Sequence, residues 1–275
     1  RHHPFFLEAL HDKKSEYANW FYFSKWPDKY QCFLSVSELP KLNLDNDDTR
    51  KHVINAAKYW LSLGLDGYRL DHVIGPSNNF WKSFYSELKK QYPNALLIGE
   101  AWMQGISWSE LKTIQIPWKR MKWIRKRSHD SVLHNYENLL DGVLDFTAQQ
   151  YFREYVRHHQ SNAYLKKMLS AHYSRFPSNF LLPAFLDNHD MDRFLFQCNN
   201  NTQLLKKAAT IQFSLPQPII IYYGTEQGLT QHRSIWNIQA HGDLLARAPM
   251  PWNKKDQNIE LFNFYRKLIS NRTKR

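Results

Sequence analysis

A chain of 275 residues, 43% hydrophobic and 15% aromatic, is long enough to bury a sizeable core, which excludes a disordered tail. Its two cysteines, Cys32 and Cys198, make neither a disulfide framework nor a metal cluster, and no apolar run is long enough for a transmembrane helix. The net charge of +12 raises a nucleic-acid binder as a rival reading, but the basic residues are dispersed except at 118–127, a stretch that reads as a solvated loop or a basic helix face, with a membrane-surface or polyanion contact as the alternative.

Residues 1–46 are irregular and aromatic-rich, with Pro27, Pro40 and a polar stretch at 43–48, and predict a loop-rich excursion. Val53, Ile54, Ala56, Ala57, Trp60 and Leu61 then fall at helical spacing, with Asn46 or Asp47 as the cap and Gly64 as the stop. A short strand is expected over 67–71, a second helix on the stripe Phe80, Trp81, Phe84, Tyr85 and Leu88, and a buried strand over 95–99. Residues 141–146 read as a third strand, followed by helical material near 149–157. The run 181–186 reads as a fourth strand, and Leu204, Leu205, Ala208, Ala209 and Phe213 as a helix face. Residues 218–223 read as a fifth strand, and Leu261, Phe262, Tyr265, Leu268 and Ile269 as a closing helix. Strands alternating with helices imply an α/β fold with a parallel sheet covered on both faces, either an open doubly wound sheet or part of a barrel. No glycine-rich phosphate turn follows the first strand, which weakens a dinucleotide-binding reading.

In such folds the chemistry sits at the C-terminal ends of the strands. The first strand ends on Arg69 and Asp71, which share a face because they are two apart. A guanidinium beside a carboxylate keeps it ionised, as a nucleophile requires; a structural ion pair is the alternative. Glu100 leaves the apolar run 95–99, where desolvation suits a general acid; an exposed loop Glu is the alternative. The fourth strand leads to Asn188-His189-Asp190, where a His-Asp pair taken alone is more often structural than catalytic. Carboxylates on three strand ends of one face are expected to converge on one pocket, and glycoside hydrolysis with retention needs two of them about 5–5.5 Å apart. A hydrolytic metal is the competing reading, but no His-x-His or His-Glu-x-x-His signature supports it, and no metal ligand is assigned.

These segments resemble the α-amylase family of glycoside hydrolases. Gly67-Tyr68-Arg69-Leu70-Asp71 resembles its nucleophile motif, Gly99-Glu100-Ala101-Trp102 its general-acid motif, and Phe185-Leu186-Asp187-Asn188-His189-Asp190 its transition-state motif. Leu39-Pro40-Lys41-Leu42-Asn43 resembles the short motif near the end of its domain B. Residues 222–228 look like its eighth-strand motif, and Arg247-Ala248-Pro249-Met250-Pro251-Trp252 like a segment that commonly follows. All occur in family order, and the resemblance covers nearly the whole chain. The motif at 39–43 and the Phe80-Trp81 pair are similar to the cyclomaltodextrinase and neopullulanase branch.

The resemblance implies a (β/α)8 TIM barrel, present in part as strands four to eight, with residues 1–46 a domain-B-like segment and 47–275 the C-terminal part of the catalytic barrel. Strands one to three are expected upstream of Arg1, because the family's Asp…Asn-His motif of strand three is absent. It implies a glycosidase acting on α-glucans or maltooligosaccharides through a covalent glycosyl-enzyme intermediate, with transglycosylation or an inactive carbohydrate-binding piece as alternatives. Asp71 is then the nucleophile, Glu100 the acid and base, and Asp190 the transition-state stabiliser. Arg69, Asn188, His189, Trp102 and Arg193 are the implied substrate-binding residues. Many amylases carry a Lys-His pair three and four positions after the nucleophile; Ile74 and Gly75 stand there, which counts against an amylase-type acceptor subsite and a calcium ligand at that position. No cofactor is required on this reading, and calcium has no support from the sequence. Neither nucleic acid nor membrane is an expected partner, and with no visible signal peptide the cytoplasm is the favoured compartment.

Overall fold

The computed structural model describes residues 2–33, 36–102, 129–236 and 242–274; the basic stretch 118–127 lies outside them. The chain divides into two compact units, Arg1–Val143 and Leu144–Arg275. The boundary expected at 46 and 47 falls within the first unit.

In the first unit, the opening segment, expected to be loop-rich, holds a helix. Helix α1, Pro4–His11, starts on a proline whose missing N–H costs nothing in the first turn, and its Phe6 and Ala9 pack with Trp20 and Phe21 into a small aromatic core. Strands β1, Phe23–Lys25, and β2, Lys29–Tyr30, pair antiparallel beside it. Helix α2, Asp47–Ser62, is capped by Asn46, whose Oδ1 accepts from the N–H groups of Asp48 at 3.1 Å and Thr49 at 3.0 Å; it ends before Gly64, which takes φ +99°.

Strands β3, Gly67–Leu70, β4, Leu96–Gly99, and β5, Gly142–Val143, form a parallel sheet in the order β3-β4-β5, with Leu70 opposite Gly99. Gly67 has to be a glycine, since a Cβ there would lie 2.0 Å from the backbone oxygen of Leu96 on the neighbouring strand. Helix α3, Asn78–Gln91, capped by Ser77, buries Phe80, Trp81, Phe84 and Leu88 of the stripe read from the sequence and leaves Tyr85 half-buried. The Trp81 indole N–H donates to the Val73 carbonyl at 2.8 Å, tying α3 to the turn that follows β3. A short helix, α4, His129–Leu133, precedes β5.

The third strand is shorter than expected. It ends at Val143, because Asp145 leaves the extended conformation to cap helix α5, Phe146–Arg157, accepting from the Ala148 N–H at 2.8 Å. Helix α6, Asn162–Tyr173, capped by Ser161, was not anticipated. A single turn, α7, Phe194–Gln197, precedes α8, Thr202–Phe213, and α9, Gly242–Ala246, precedes α10, Ile259–Thr273. Leu165, Leu169, Phe194, Leu205, Ala208, Leu261 and Tyr265 from these helices share one buried core.

The runs 181–186 and 218–223, both expected as strands, meet only at a parallel bridge between Ala184 and Ile219. The Ala184 N–H donates to the Pro218 carbonyl at 2.8 Å and the Ile220 N–H to the Ala184 carbonyl at 2.9 Å. Pro183 and Pro218 have no N–H to extend the ladder, and the Ala184 carbonyl also accepts from the Gln212 side chain of α8. Among the described residues the parallel ladder therefore has three strands rather than five.

Candidate active site

The first unit brings together Arg69, Asp71 and Glu100. The Arg69 guanidinium pairs through Nη1 with Asp71 and through Nη2 with Glu100, one cation shared by two carboxylates. The strand register makes this pairing local: Leu70 lies opposite Gly99, so the next residue on each strand reaches the same level. The backbone bonds continue past the strand ends. The Glu100 N–H donates to the Leu70 carbonyl at 2.8 Å, and the Val73 N–H donates to the Glu100 carbonyl at 3.0 Å.

The two carboxylates sit in different environments. Glu100 is buried at 6% exposure, whereas the Asp71 side chain is 73% exposed. Burial pushes the Asp71 carboxyl up, but the hydrogen bond and charge of Arg69 outweigh it, with Glu100 and His72 adding to the effect, and the group lies below the ordinary carboxylate value. Trp102 is half-buried two residues beyond Glu100.

Beside Asp71 opens a cavity of about 820 Å³ lined by Phe5, Trp20, Phe33, Leu39 and His72 among others. His72 has the left-handed φ of +44°, packs edge-on against Phe33 at 4.8 Å, and has no hydrogen-bond partner for its buried Nε2 among the described residues. Burial, helped by the charge of Lys41 and opposed by that of Asp71, lowers its pKa from 6.5 to about 4. His72 is not among the residues expected from sequence; its place in the turn behind a candidate nucleophile is the signal available for it.

The second unit holds the other motif. Asp187 is buried, accepting from the Phe194 N–H at 2.8 Å and from the Thr225 hydroxyl at 2.9 Å, and burial raises its pKa. It thereby pins the turn that carries the next three residues. Asn188 accepts from the Asp190 N–H at 2.9 Å, and His189 Nε2 lies 3.0 Å from Asp190 Oδ2. Arg247 completes the group, its Nη2 2.7 Å from Asp190 Oδ1 and its Nε donating to the His189 carbonyl at 3.1 Å. Arg193, expected to bind substrate, is fully buried: its guanidinium lies over the Tyr222 ring at 4.1 Å and the Tyr223 ring at 4.8 Å, and Nη1 donates to the Tyr223 carbonyl at 2.5 Å. Arg247 went unassigned from sequence although it opens the recognised segment 247–252.

Among the described residues no three His, Cys, Asp or Glu side chains gather to hold a metal ion, and no helix is long and apolar enough to cross a membrane.

Known proteins similar to this chain fall in one family. The model of the α-amylase catalytic domain matches residues 4–260. Alpha-amylase 2 of Dictyoglomus thermophilum is 34% identical over 268 residues, which cover 97% of this chain and 43% of that protein. A cyclomaltodextrinase of Thermoanaerobacter pseudethanolicus is 30% identical over 266 residues, 94% of this chain and 41% of that protein. The chain thus spans less than half the length of these curated relatives. Among solved structures, a cyclomaltodextrinase matches with a TM-score of 0.79 at 26% identity, over 99% of this chain and 43% of that one. The cyclic alpha-maltosyl-(1→6)-maltose hydrolase of Arthrobacter globiformis shares the fold, with a TM-score of 0.78 at 24% identity over 98% of this chain and 55% of that one. The fold is α/β, part of a (β/α)8 barrel. With the family model matched across residues 4–260, the chain belongs to the α-amylase catalytic-domain family.

Proposed function

We propose that this chain supplies the catalytic carboxylates of a retaining glycosidase that cleaves α-glucosidic bonds in α-glucans or maltooligosaccharides. The observation that carries the reading is the single guanidinium of Arg69 shared between an exposed Asp71 and a buried Glu100. Adjacent strands lie about 4.8 Å apart, the scale of the about 5–5.5 Å separation that retention uses.

In the first step Asp71 attacks the anomeric carbon, and the bond to the glycosidic oxygen breaks. Glu100 gives its proton to that leaving oxygen. In the second step Glu100, now a carboxylate, takes a proton from water. The water oxygen attacks the anomeric carbon, Asp71 leaves as a carboxylate, and configuration is retained overall. Arg69 holds Asp71 ionised for the attack and anchors Glu100 beside it. Asp190 binds sugar hydroxyls more strongly as the ring flattens toward the transition state, with Asn188 and His189 supporting it, and Trp102 offers a ring to stack on the sugar. No step requires a metal or an organic cofactor.

The test uses the protein that carries this chain. Asp71→Asn and Glu100→Gln should each lower turnover of maltooligosaccharides by about 10³-fold or more while sugar binding survives, and the parent should release products of α configuration by NMR. Near-normal turnover in either variant, or release of the β anomer, would sink the assignment.

A further inference from the structure

Asp190 lies on a turn, where a carboxylate has free rotamers unless something holds it. Both of its oxygens are held. Oδ1 takes Arg247 Nη2 at 2.7 Å, and Oδ2 lies 3.0 Å from His189 Nε2. Arg247 also reaches the backbone of the same turn, donating from Nε to the His189 carbonyl at 3.1 Å. One guanidinium therefore grips the carboxylate and the main chain that carries it, a planar two-point grip that a lysine ammonium lacks.

Arg247 is itself fixed from both sides. The Tyr222 hydroxyl donates to the Ala246 carbonyl at 3.2 Å, and the Tyr223 hydroxyl to the Ala248 carbonyl at 2.8 Å. The rings of those tyrosines pack on the buried guanidinium of Arg193. A chain of contacts thus runs from the interior through Arg193, Tyr222 and Tyr223 to Arg247 and ends on Asp190. The side chains of the terminal pair are 44% and 29% exposed, so its yield in stability is small. Its effect is geometric.

We propose that Arg247 is a positioning residue that presets the Asp190 carboxylate for the flattened sugar ring; this rests on the reading of Asp190 above. A preset carboxylate acts on the transition state more than on the bound substrate, so its loss falls on kcat rather than KM.

The experiment measures maltooligosaccharide hydrolysis and thermal melting for the protein that carries this chain and for Arg247→Ala, Arg247→Lys, Asp190→Asn and the Asp190→Asn/Arg247→Ala double variant. Arg247→Ala should lower kcat by about 10- to 100-fold with KM changed by less than about threefold, and melting should move by no more than about 3 °C. Arg247→Lys should recover part of the loss. On the Asp190→Asn background, removing Arg247 should cost less than about twofold more, because the group it positions is gone. Arg247→Ala turnover within about twofold of the parent beside a crippled Asp190→Asn overturns the proposal alone. So does a full additive loss in the double variant. Near-normal turnover in Asp190→Asn overturns the role of Asp190 and the proposal with it. Should Arg247→Ala melt early, Arg247→Lys decides: lowered kcat at parental melting supports the proposal, and parental kcat overturns it.

Discussion

Acidifying the protein from about pH 7 to about pH 4.5 should weaken the fold of the first unit through His72, and the size of the effect follows from the ring's surroundings. The imidazole is held between Phe33 and the turn carrying Gly75, where an added Cβ would stand 3.1 Å from the ring. Burial is the main reason its pKa falls from 6.5 to about 4; Lys41 adds repulsion and Asp71 pulls the other way. Between those two values the unfolded chain takes up a proton that the folded chain refuses. The stabilisation is therefore complete above about 6.5 and is lost as the pH falls toward about 4. Integrated between pH 7 and 4.5 and discounted for partial exposure, the loss is about 2 kcal/mol. His72→Asn removes the titration and tolerates the left-handed backbone at this position. NMR titration of the ring should give a midpoint far below 6.5, and denaturant unfolding should show the parent losing about 2 kcal/mol more than His72→Asn over the same interval. A ring midpoint near 6.5, or equal losses in the two proteins, would refute the reasoning.

Gly67→Ala should destabilise the protein by about 2–4 kcal/mol, since the new methyl meets the Leu96 carbonyl in the adjacent strand; an unchanged melting curve would show that the strands part without cost. Asp145→Ala removes both the cap of α5 and the carboxylate 3.0 Å from the buried His172. It should cost about 3 kcal/mol by denaturant unfolding, and a loss under about 1 kcal/mol would mean that the pair holds little of the second unit together.

The helices legible in the sequence are those with a clear apolar stripe. Val53, Ile54, Ala56, Ala57, Trp60 and Leu61 mark α2, of which Ile54, Ala57 and Leu61 are buried, and Phe80, Trp81, Phe84, Tyr85 and Leu88 mark α3, of which all but Tyr85 are buried. Helix α1 escaped because it runs for 8 residues in an aromatic segment without a readable polar face. Helix α6 has a signal in the sequence, Ser161 followed by Leu165, Leu169 and His172 at helical spacing. The runs 181–186 and 218–223 read as strands from hydrophobicity, yet each contains a proline, and pairing depends on N–H groups rather than on hydrophobicity.

Arg69, Asp71 and Glu100 could be found together because strand ends are visible in sequence and adjacent parallel strands place them side by side. Arg247 could not, because its partner Asp190 is 57 residues away and nothing local to either residue marks the contact. The burial of Arg193 was equally hidden, since a positive charge in sequence reads as surface until the tyrosines that cover it are known.

The hydrogen bonds that extend the β3–β4 ladder past its end bear on how such a protein can change over generations. The Glu100 N–H is tied to Leu70, and its carbonyl receives the Val73 N–H, so main-chain bonds tie the two carboxylate-bearing segments together before any side chain is counted. Main-chain bonds are indifferent to which side chains surround them. Segments entering and leaving this clamp can vary in length and composition without moving positions 71 and 100 relative to each other.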